Sequence, residues 1–190
     1  MSDALIALHF QNDICHPDGR IPFAIDRKTS AAEAFLAASR TALDNARAAG
    51  WTIVHTHIAF AEDYSDLPRN CSLFQAVEKL GAVKRGSWGA APLDGFEPRE
   101  GEIALVHKCN SAFRNTGLEA LLRERRIERL SVMGLATQFS VEHTVRDAAD
   151  LGYPVAVLAD CCASADSEAH KASLRTMAML ASIVTSGAES

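Results

Sequence analysis

The chain has 190 residues, of which 48% are apolar and 23% are charged, and its formal net charge at pH 7 is −5. This length suits one well-buried domain spanning 1–190, and the acidic balance supplies no basic surface for nucleic acid or an anionic membrane. No leader-like segment and no apolar run of about 18 residues is present, so we expect a cytoplasmic protein without a membrane span. Five cysteines without a C-x-x-C spacing argue against a disulfide framework and a thiolate metal site.

Short apolar runs rich in valine, isoleucine and leucine alternate with amphipathic segments along the chain. Strands are predicted at Ala4–Leu8, 51–60, Glu102–Lys108, Glu128–Leu135, Pro154–Asp160 and, near the C-terminus, 183–186. Helices are predicted within 30–50, 117–126, 140–152 and 167–182. The first of these helices has Ser30 as its expected N-cap, Glu33 completing a capping box, and Gly50 at its end.

Strands that alternate with helices predict an α/β fold with a mostly parallel six-stranded sheet, right-handed crossovers and helices on both faces. The strand runs lack strict polar–apolar alternation, as expected where both faces of a sheet are covered. Segment 61–99 interrupts this order, since it is rich in loops and contains only one short helical patch, at 71–81. We expect an ordered insertion that covers a site or contacts a second subunit.

Ligands of such sheets bind beyond the carboxyl ends of the strands. The polar residues at those ends are His9, His57, Lys108, 137–140 and Asp160. His55 and His57 share one face of their strand, but no carboxylate follows to complete a metal site. Asp160 is expected to cap a loop or a helix.

The stretch 134–148 is the most informative, because a strand ends in Gly-Leu-Ala-Thr and a helix is predicted to start near Ser140. Unpaired N–H groups at a helix start carry partial positive charge, which suits a developing oxyanion. The same pattern describes an ordinary helix cap. Both a capping role and a catalytic role for the Ser140 hydroxyl therefore stay open.

Four stretches resemble the isochorismatase-like, or cysteine hydrolase, superfamily. They are ALIALHFQNDICHPDG, VHKCNSAFRNTGLEALL, the run from RLSVMGLATQ to LADCCAS, and the weaker GSWGAAPLDGFEPREGE, and they follow family order over nearly the whole chain. The resemblance implies a Rossmann-like three-layer α/β/α fold, a small-molecule substrate, and a homodimer or higher homo-oligomer.

Amide-hydrolysing members of that superfamily place an Asp after the first strand, a Lys after the third and a nucleophilic Cys at the start of the helix after the fourth. The resemblance puts His9 at the Asp position, Lys108 at the Lys position and Ser140 at the Cys position. It also implies a cis peptide between Leu135 and Ala136, which aims the N–H groups of Ala136 and Ser140 at an oxyanion.

The resemblance also bears on the pocket and on metal binding. Substrate contacts are expected from Phe113, Trp88 and Thr137. The nicotinamidase metal site needs an Asp and a His after the second strand, where this chain has Ile58 and Phe60, so we expect no metal and no cofactor.

Two catalytic positions thus differ together. A Ser hydroxyl is a weaker nucleophile than a Cys thiolate and needs an adjacent base, a task for which imidazole is suited. The first hypothesis is a hydrolase of a small amide or other acyl compound, with Ser140 activated by His9. In it, Lys108 lowers the pKa of His9 and stabilises the oxyanion.

Two alternatives stay open: vinyl-ether hydrolysis with His9 as the acid, and an inactive small-molecule-binding or structural homologue. Cys15, one turn beyond His9, is a lesser candidate for a substitute thiol.

Overall fold

A computed structural model describes residues 2–187 of the chain, and its centre is a six-stranded sheet. The strands are β1 (Asp3–Leu8), β2 (Thr52–Ile58), β3 (Ile103–His107), β4 (Arg129–Leu135), β5 (Val155–Ala163) and β6 (Ser182–Val184). Their spatial order is β3-β2-β1-β4-β5-β6, and every neighbouring pair is parallel. The predicted α/β fold is confirmed, with a sheet that is entirely parallel within the described residues.

Helices cover both faces of the sheet. They are α1 (Asn12–Cys15), α2 (Ser30–Ala48), α3 (Ser72–Lys79), α4 (Leu118–Glu124), α5 (Glu142–Asp150) and α6 (Ser167–Met177). One apolar cluster contains Phe35 and Leu43 of α2, and a second contains Leu118 of α4 and Val145 of α5. The three-layer arrangement follows from these two cores. No described helix is both long enough and apolar enough to cross a bilayer.

Three element boundaries differ from the predictions for local reasons. The N-cap of α2 is Thr29, whose side chain accepts a hydrogen bond from the Ala32 N–H, so Ser30 is already helical. Strand β5 continues past Asp160, because a register shift against β4 lets the pairing resume at Cys162. Asp160 therefore caps no helix and instead accepts hydrogen bonds from the backbone and hydroxyl of Ser186, at 2.8 and 2.7 Å.

The third difference is at the end of β4. A π-helical turn, Thr137–Val141, precedes α5, which begins at Glu142 rather than near Ser140. Ser140 consequently lies inside this turn, between the strand and the helix.

The candidate site lies where the sheet order reverses, because β1 pairs with β2 on one side and β4 on the other. Gly134 of β4 lies opposite Leu8 of β1 and has a φ of +134°. A Cβ at Gly134 would lie 2.2 Å from the Leu8 carbonyl oxygen, so only glycine permits this approach. The close contact brings the residues after β1 and β4 together.

Candidate active site

His9 follows β1 in a left-handed backbone conformation, with a φ of +62°. Its N–H donates to the Thr56 carbonyl of β2 at 2.9 Å, so the sheet pairing extends one residue beyond the strand. The residue is 4% exposed. Histidine is among the residues that tolerate this conformation best after glycine, asparagine and aspartate.

The His9 ring pairs with the ring of His107, the last residue of β3. Their Nε2 atoms are 2.7 Å apart, and the ring centroids are separated by 4.8 Å with 24° between the planes. His107 is 2% exposed. Two imidazole nitrogens at this distance must share a single proton, since one has to donate and the other accept.

A small cavity of about 50 Å³ adjoins His9. Three polar residues contribute to its wall: His9, Asn110 and Ser140. The remaining lining residues are apolar: Ile14, Ile21, Phe23, Ala24, Ile58, Leu73, Phe74, Val77, Leu135, Ala136 and Phe139. A volume of this kind holds about three to five water molecules. An apolar pocket with a few convergent polar groups is the usual form of a small-molecule site.

The insertion predicted to cover a site does so through α3. Its residues Leu73, Phe74 and Val77 form part of the cavity wall. Asp13 of α1 accepts a hydrogen bond from the Val83 N–H at 2.7 Å, which ties the segment after α3 to α1.

Ser140 and His9 both line this cavity. The Ser140 hydroxyl makes no hydrogen bond to any described residue. His9 Nε2 pairs with His107, and a backbone hydrogen bond with Leu135 raises the pKa of the His9 ring against the larger, opposite effect of burial. The Oγ of Ser140 is therefore available to a bound molecule.

The turn that carries Ser140 also exposes a backbone donor. The peptide bond between Leu135 and Ala136 is cis, as the resemblance implied, and both residues line the cavity. The Ala136 carbonyl accepts from the N–H groups of Phe139 and Val141, at 3.0 and 3.4 Å. The Ala136 N–H itself has no backbone partner within residues 2–187, so it can donate to a ligand oxygen.

Burial keeps the histidines of the site neutral near pH 7. Desolvation lowers the pKa of His9 well below its ordinary value, and the nearby rings of His107 and His57 lower it further. Burial likewise lowers the pKa of His107 and of His57 to about 4. A neutral imidazole retains a lone pair and can act as a base.

Cys15 does not supply a substitute thiolate. Its sulfur lies 3.7 Å from the His9 carbonyl oxygen, and burial raises the pKa of its thiol to about 12. A thiol with so high a pKa stays protonated and is a poor nucleophile.

The family model for the isochorismatase domain matches residues 3–189. The chain belongs to the isochorismatase family. A crystal structure of an isochorismatase family protein from Desulfovibrio vulgaris Hildenborough is 28% identical, with a TM-score of 0.86 over 98% of this chain and 95% of that one.

Two structures of named enzymes also share the fold. The pyrazinamidase/nicotinamidase from Streptococcus mutans is 25% identical, with a TM-score of 0.79 over 96% of this chain and 100% of that one. The N-carbamoylsarcosine amidase from Thermoplasma acidophilum is 22% identical, with a TM-score of 0.76 over 98% and 97%. Membership of the isochorismatase family supports a hydrolase fold for this chain.

The structure does not bring Lys108 to the cavity. Its Nζ lies 2.8 Å from the Asp66 carboxylate, and its side chain is 40% exposed. His107 is the last residue of β3 and its ring contacts His9, whereas Lys108 follows the strand and pairs with Asp66. Of these two neighbours, the one that contacts His9 is therefore His107, which sequence reasoning missed.

The expected pocket residues lie elsewhere. Trp88 is 53% exposed and meets the His16 ring edge-on. Phe113 packs on the opposite core, beside α4 and α5. The Thr137 hydroxyl donates to the Ala163 carbonyl at 3.0 Å and lies 2.8 Å from His170 Nδ1, so it fixes the turn before α5 rather than lining the cavity.

The second strand places no cluster of metal ligands at the site. The ring of His55 pairs with the Glu102 carboxylate at 2.8 Å. Arg47 also donates to that carboxylate, at 2.7 Å. Within residues 2–187, no three His, Cys, Asp or Glu side chains are arranged to hold a metal ion. Asn110, which does line the cavity, was not anticipated from the sequence.

Proposed function

We propose that this protein hydrolyses a small, uncharged, largely apolar amide or ester, with Ser140 as nucleophile and His9 as base. The observation that carries the proposal is that His9 and Ser140 line one small apolar cavity, and that the Ser140 hydroxyl makes no hydrogen bond to a described residue. Catalytic hydrogen bonds are often absent before substrate binds and form only in the complex.

The residues of the site and one water molecule account for every bond and proton in this reaction. Ser140 Oγ bonds to the carbonyl carbon while its proton passes to His9 Nδ1, and the Ala136 N–H donates to the developing oxyanion. When the tetrahedral intermediate collapses, the leaving group departs with the proton from His9. Water then attacks the acyl-enzyme by the same route, with His9 again as base and Ser140 as the leaving group.

The lining sets the substrate class. Among residues 2–187, no Lys, Arg, Asp or Glu side chain lines the cavity, and Asn110 can bind a carbonyl or an amide group. Burying an unpaired charge among apolar side chains is costly, so an uncharged substrate is favoured. The names of the amidase and nicotinamidase neighbours lend support to amide chemistry.

A second candidate is binding of the same class of compound without turnover. It is favoured by the absence of a hydrogen bond between His9 and Ser140 among the described contacts. Vinyl-ether hydrolysis is less well supported, because burial disfavours the protonated His9 that would serve as its acid.

The decisive measurement is kcat/KM on a panel of short acyl esters and amides with the Ser140→Ala variant. We expect a loss of at least about 10³-fold, since the nucleophile is removed. Ser39→Ala is the matched control, because Ser39 is also a buried serine but donates to the Phe35 carbonyl within α2.

Unchanged turnover by Ser140→Ala would sink the nucleophilic mechanism. Saturable binding of these compounds by a wild-type protein that turns none of them over would favour the second candidate. A fluorophosphonate whose phosphonyl group attaches to wild-type protein, with release of fluoride, but not to Ser140→Ala would identify the reactive hydroxyl directly.

A further inference from the structure

The turn that carries Ser140 is held by side chains as well as by its own backbone. In this π-helical turn, Thr137–Val141, the N–H of Val141 reaches the Ala136 carbonyl only at 3.4 Å. Such turns are rare and recur at functional sites. A side-chain contact that fixes the first residue of the turn therefore bears on where the Ser140 hydroxyl lies.

Thr137 is fully buried and its hydroxyl lies between two partners. The Oγ1 atom is 3.0 Å from the carbonyl oxygen of Ala163, at the end of β5, and 2.8 Å from Nδ1 of His170 in α6. A hydroxyl has one proton and a carbonyl oxygen can only accept, so the proton of Thr137 points to Ala163. His170 must then donate its Nδ1–H to the Thr137 oxygen, because two lone pairs at 2.8 Å would repel each other.

The other nitrogen of the His170 ring is compatible with this assignment. The ring is partly exposed and borders a surface groove of about 520 Å³ between α2 and the end of β5. Among residues 2–187, no group makes a hydrogen bond to Nε2. Because the groove admits water to this edge of the ring, a lone pair on Nε2 is not left buried without a partner.

Ser173 adds a second contact from the same face of α6, since it lies three residues beyond His170. It is buried, and its hydroxyl donates to the Glu142 carboxylate at 2.6 Å and lies 3.3 Å from the Thr137 carbonyl oxygen. Glu142 directly follows the π-helical turn. Helix α6 thus contacts this turn at its first residue and immediately after its last.

We propose that His170 is a positioning residue for Ser140, because its Nδ1–H fixes Thr137 and thereby the turn that places the Ser140 hydroxyl in the cavity. His170 does not itself line that cavity, so it acts through the turn and touches no substrate. The inference rests on the proposed function for its catalytic meaning, whereas the contact with Thr137 does not depend on turnover.

The direct test is ¹⁵N NMR of histidine-labelled protein near pH 7.5, with the His170 signals assigned from their loss in His170→Leu. We expect the Nδ1–H tautomer of His170 in wild-type protein. In Thr137→Val we expect a shift toward the Nε2–H tautomer, which free imidazole side chains favour. An Nε2–H ring in wild-type protein, or a tautomer that Thr137→Val leaves unchanged, would overturn the inference.

A second readout follows the turn itself. The backbone amide signals of Phe139 and Ser140 should move in His170→Leu and return close to their wild-type positions in His170→Asn, whose amide nitrogen takes the place of Nδ1. His170→Gln carries its amide nitrogen near the place of Nε2 and should not restore them. Equal displacement of these signals by the Leu and Asn variants would show that the Nδ1–H does not hold the turn.

Kinetics provide the catalytic arm. We expect His170→Leu to lower kcat by about 10- to 100-fold with little change in KM, since a displacement of about 1 Å at a reacting group has an effect of this size. His170→Asn should recover most of that loss, whereas His170→Gln should not. Equal losses of kcat in the Leu and Asn variants, with folding verified by thermal melting, would contradict a positioning role.

The control is Thr176→Val, at an exposed residue of α6 whose hydroxyl donates to the Ala172 carbonyl within the helix. It should retain wild-type kcat and KM. A wild-type protein that hydrolyses none of the esters and amides would refute the proposed function instead. The tautomer of His170 and the amide signals of the turn need no substrate, so they would then decide the inference alone.

Discussion

At the scale of single residues, the site depends on a histidine in an uncommon backbone conformation. A left-handed φ costs a residue with a side chain about 1–2 kcal/mol, so the surrounding contacts must hold His9 there. The bond from its N–H to Thr56 and the ring contact with His107 do so. Asparagine tolerates the same conformation better than alanine does. His9→Asn therefore removes the imidazole ring with less backbone strain than His9→Ala.

Lys108 offers a prediction that contrasts with His107. Lys108→Met should leave kcat/KM within about twofold of wild type and change the free energy of unfolding by at most about 1 kcal/mol, because its partner Asp66 forms a partly exposed ion pair. Steady-state kinetics and urea unfolding check both values. A loss of kcat of about tenfold or more would show that the ammonium reaches the reacting groups.

Sequence reasoning was least complete in identifying the individual residues of the site. Two neighbouring residues, His107 and Lys108, both suit a catalytic role, and the family resemblance pointed to the lysine. Which of them contacts His9 depends on where β3 ends, and a one-residue difference in the assumed strand end reverses the answer. His9 directly follows a strand end that the apolar pattern locates well. Ser140 lies further on, inside the turn after β4, and its place in the predicted site came from the family resemblance.

At the scale of elements, β1 and β4 approach each other more closely than a side chain would allow. Gly134→Ala places a Cβ 2.2 Å from the Leu8 carbonyl oxygen, at a φ that disfavours alanine. We expect a loss of about 2–4 kcal/mol in the free energy of unfolding, because the central strand must shift. Urea unfolding followed by circular dichroism measures this.

The matched control is Gly117→Ala, at a negative φ of −90°, where no atom of residues 2–187 lies within 4 Å of the added Cβ. It should change stability by less than about 1 kcal/mol. Equal destabilisation by the two variants would mean that the close contact between β1 and β4 is not what constrains Gly134.

Most elements were predictable because their apolar periodicity is strong, whereas their ends were not. Thr29 and Ser30 are both good N-caps, and the sequence does not show which of them precedes the first helical turn. The continuation of β5 beyond Asp160 depends on a register shift against β4, a tertiary feature without a local signal. The π-helical turn that holds Ser140 is equally invisible in a pattern read with a helical period of 3.6 residues.

At the scale of the whole molecule, buried histidines make stability depend on pH. The folded pKa of His57 and of His107 is about 4, below the unfolded value near 6.5, so between these values the unfolded chain binds more protons. Stability is therefore complete above about pH 6.5 and is lost as the pH falls toward 4, by about 1.4 kcal/mol per pH unit for each proton taken up.

Glu102 makes stability depend on pH in a lower pH range. Its pKa is held at about 2, against its desolvation, by hydrogen bonds from Arg47, the Arg99 backbone and His55. Its contribution is present above the ordinary carboxyl range near 4.5 and is lost as the pH falls toward 2. Urea midpoints measured from pH 7.5 to pH 4.5 thus report mainly on the histidines.

In that series, the urea midpoint of His57→Phe should fall less steeply with decreasing pH than that of wild type, because one buried titrating ring has been removed. An equally steep decline would assign the pH dependence to other groups. The homo-oligomer expected from the resemblance stays a prediction, and sedimentation at each pH shows whether unfolding is coupled to dissociation.

The 2.7 Å contact between His9 and His107 also constrains how this sequence can change over generations. Losing either ring leaves the other ring buried without its hydrogen-bond partner. Each single substitution is therefore destabilising because the residue at the other position is unchanged. A simultaneous exchange for another donor–acceptor pair escapes that penalty. The two positions, 98 residues apart in the chain, should therefore behave as an epistatic pair, tolerating change together more readily than singly.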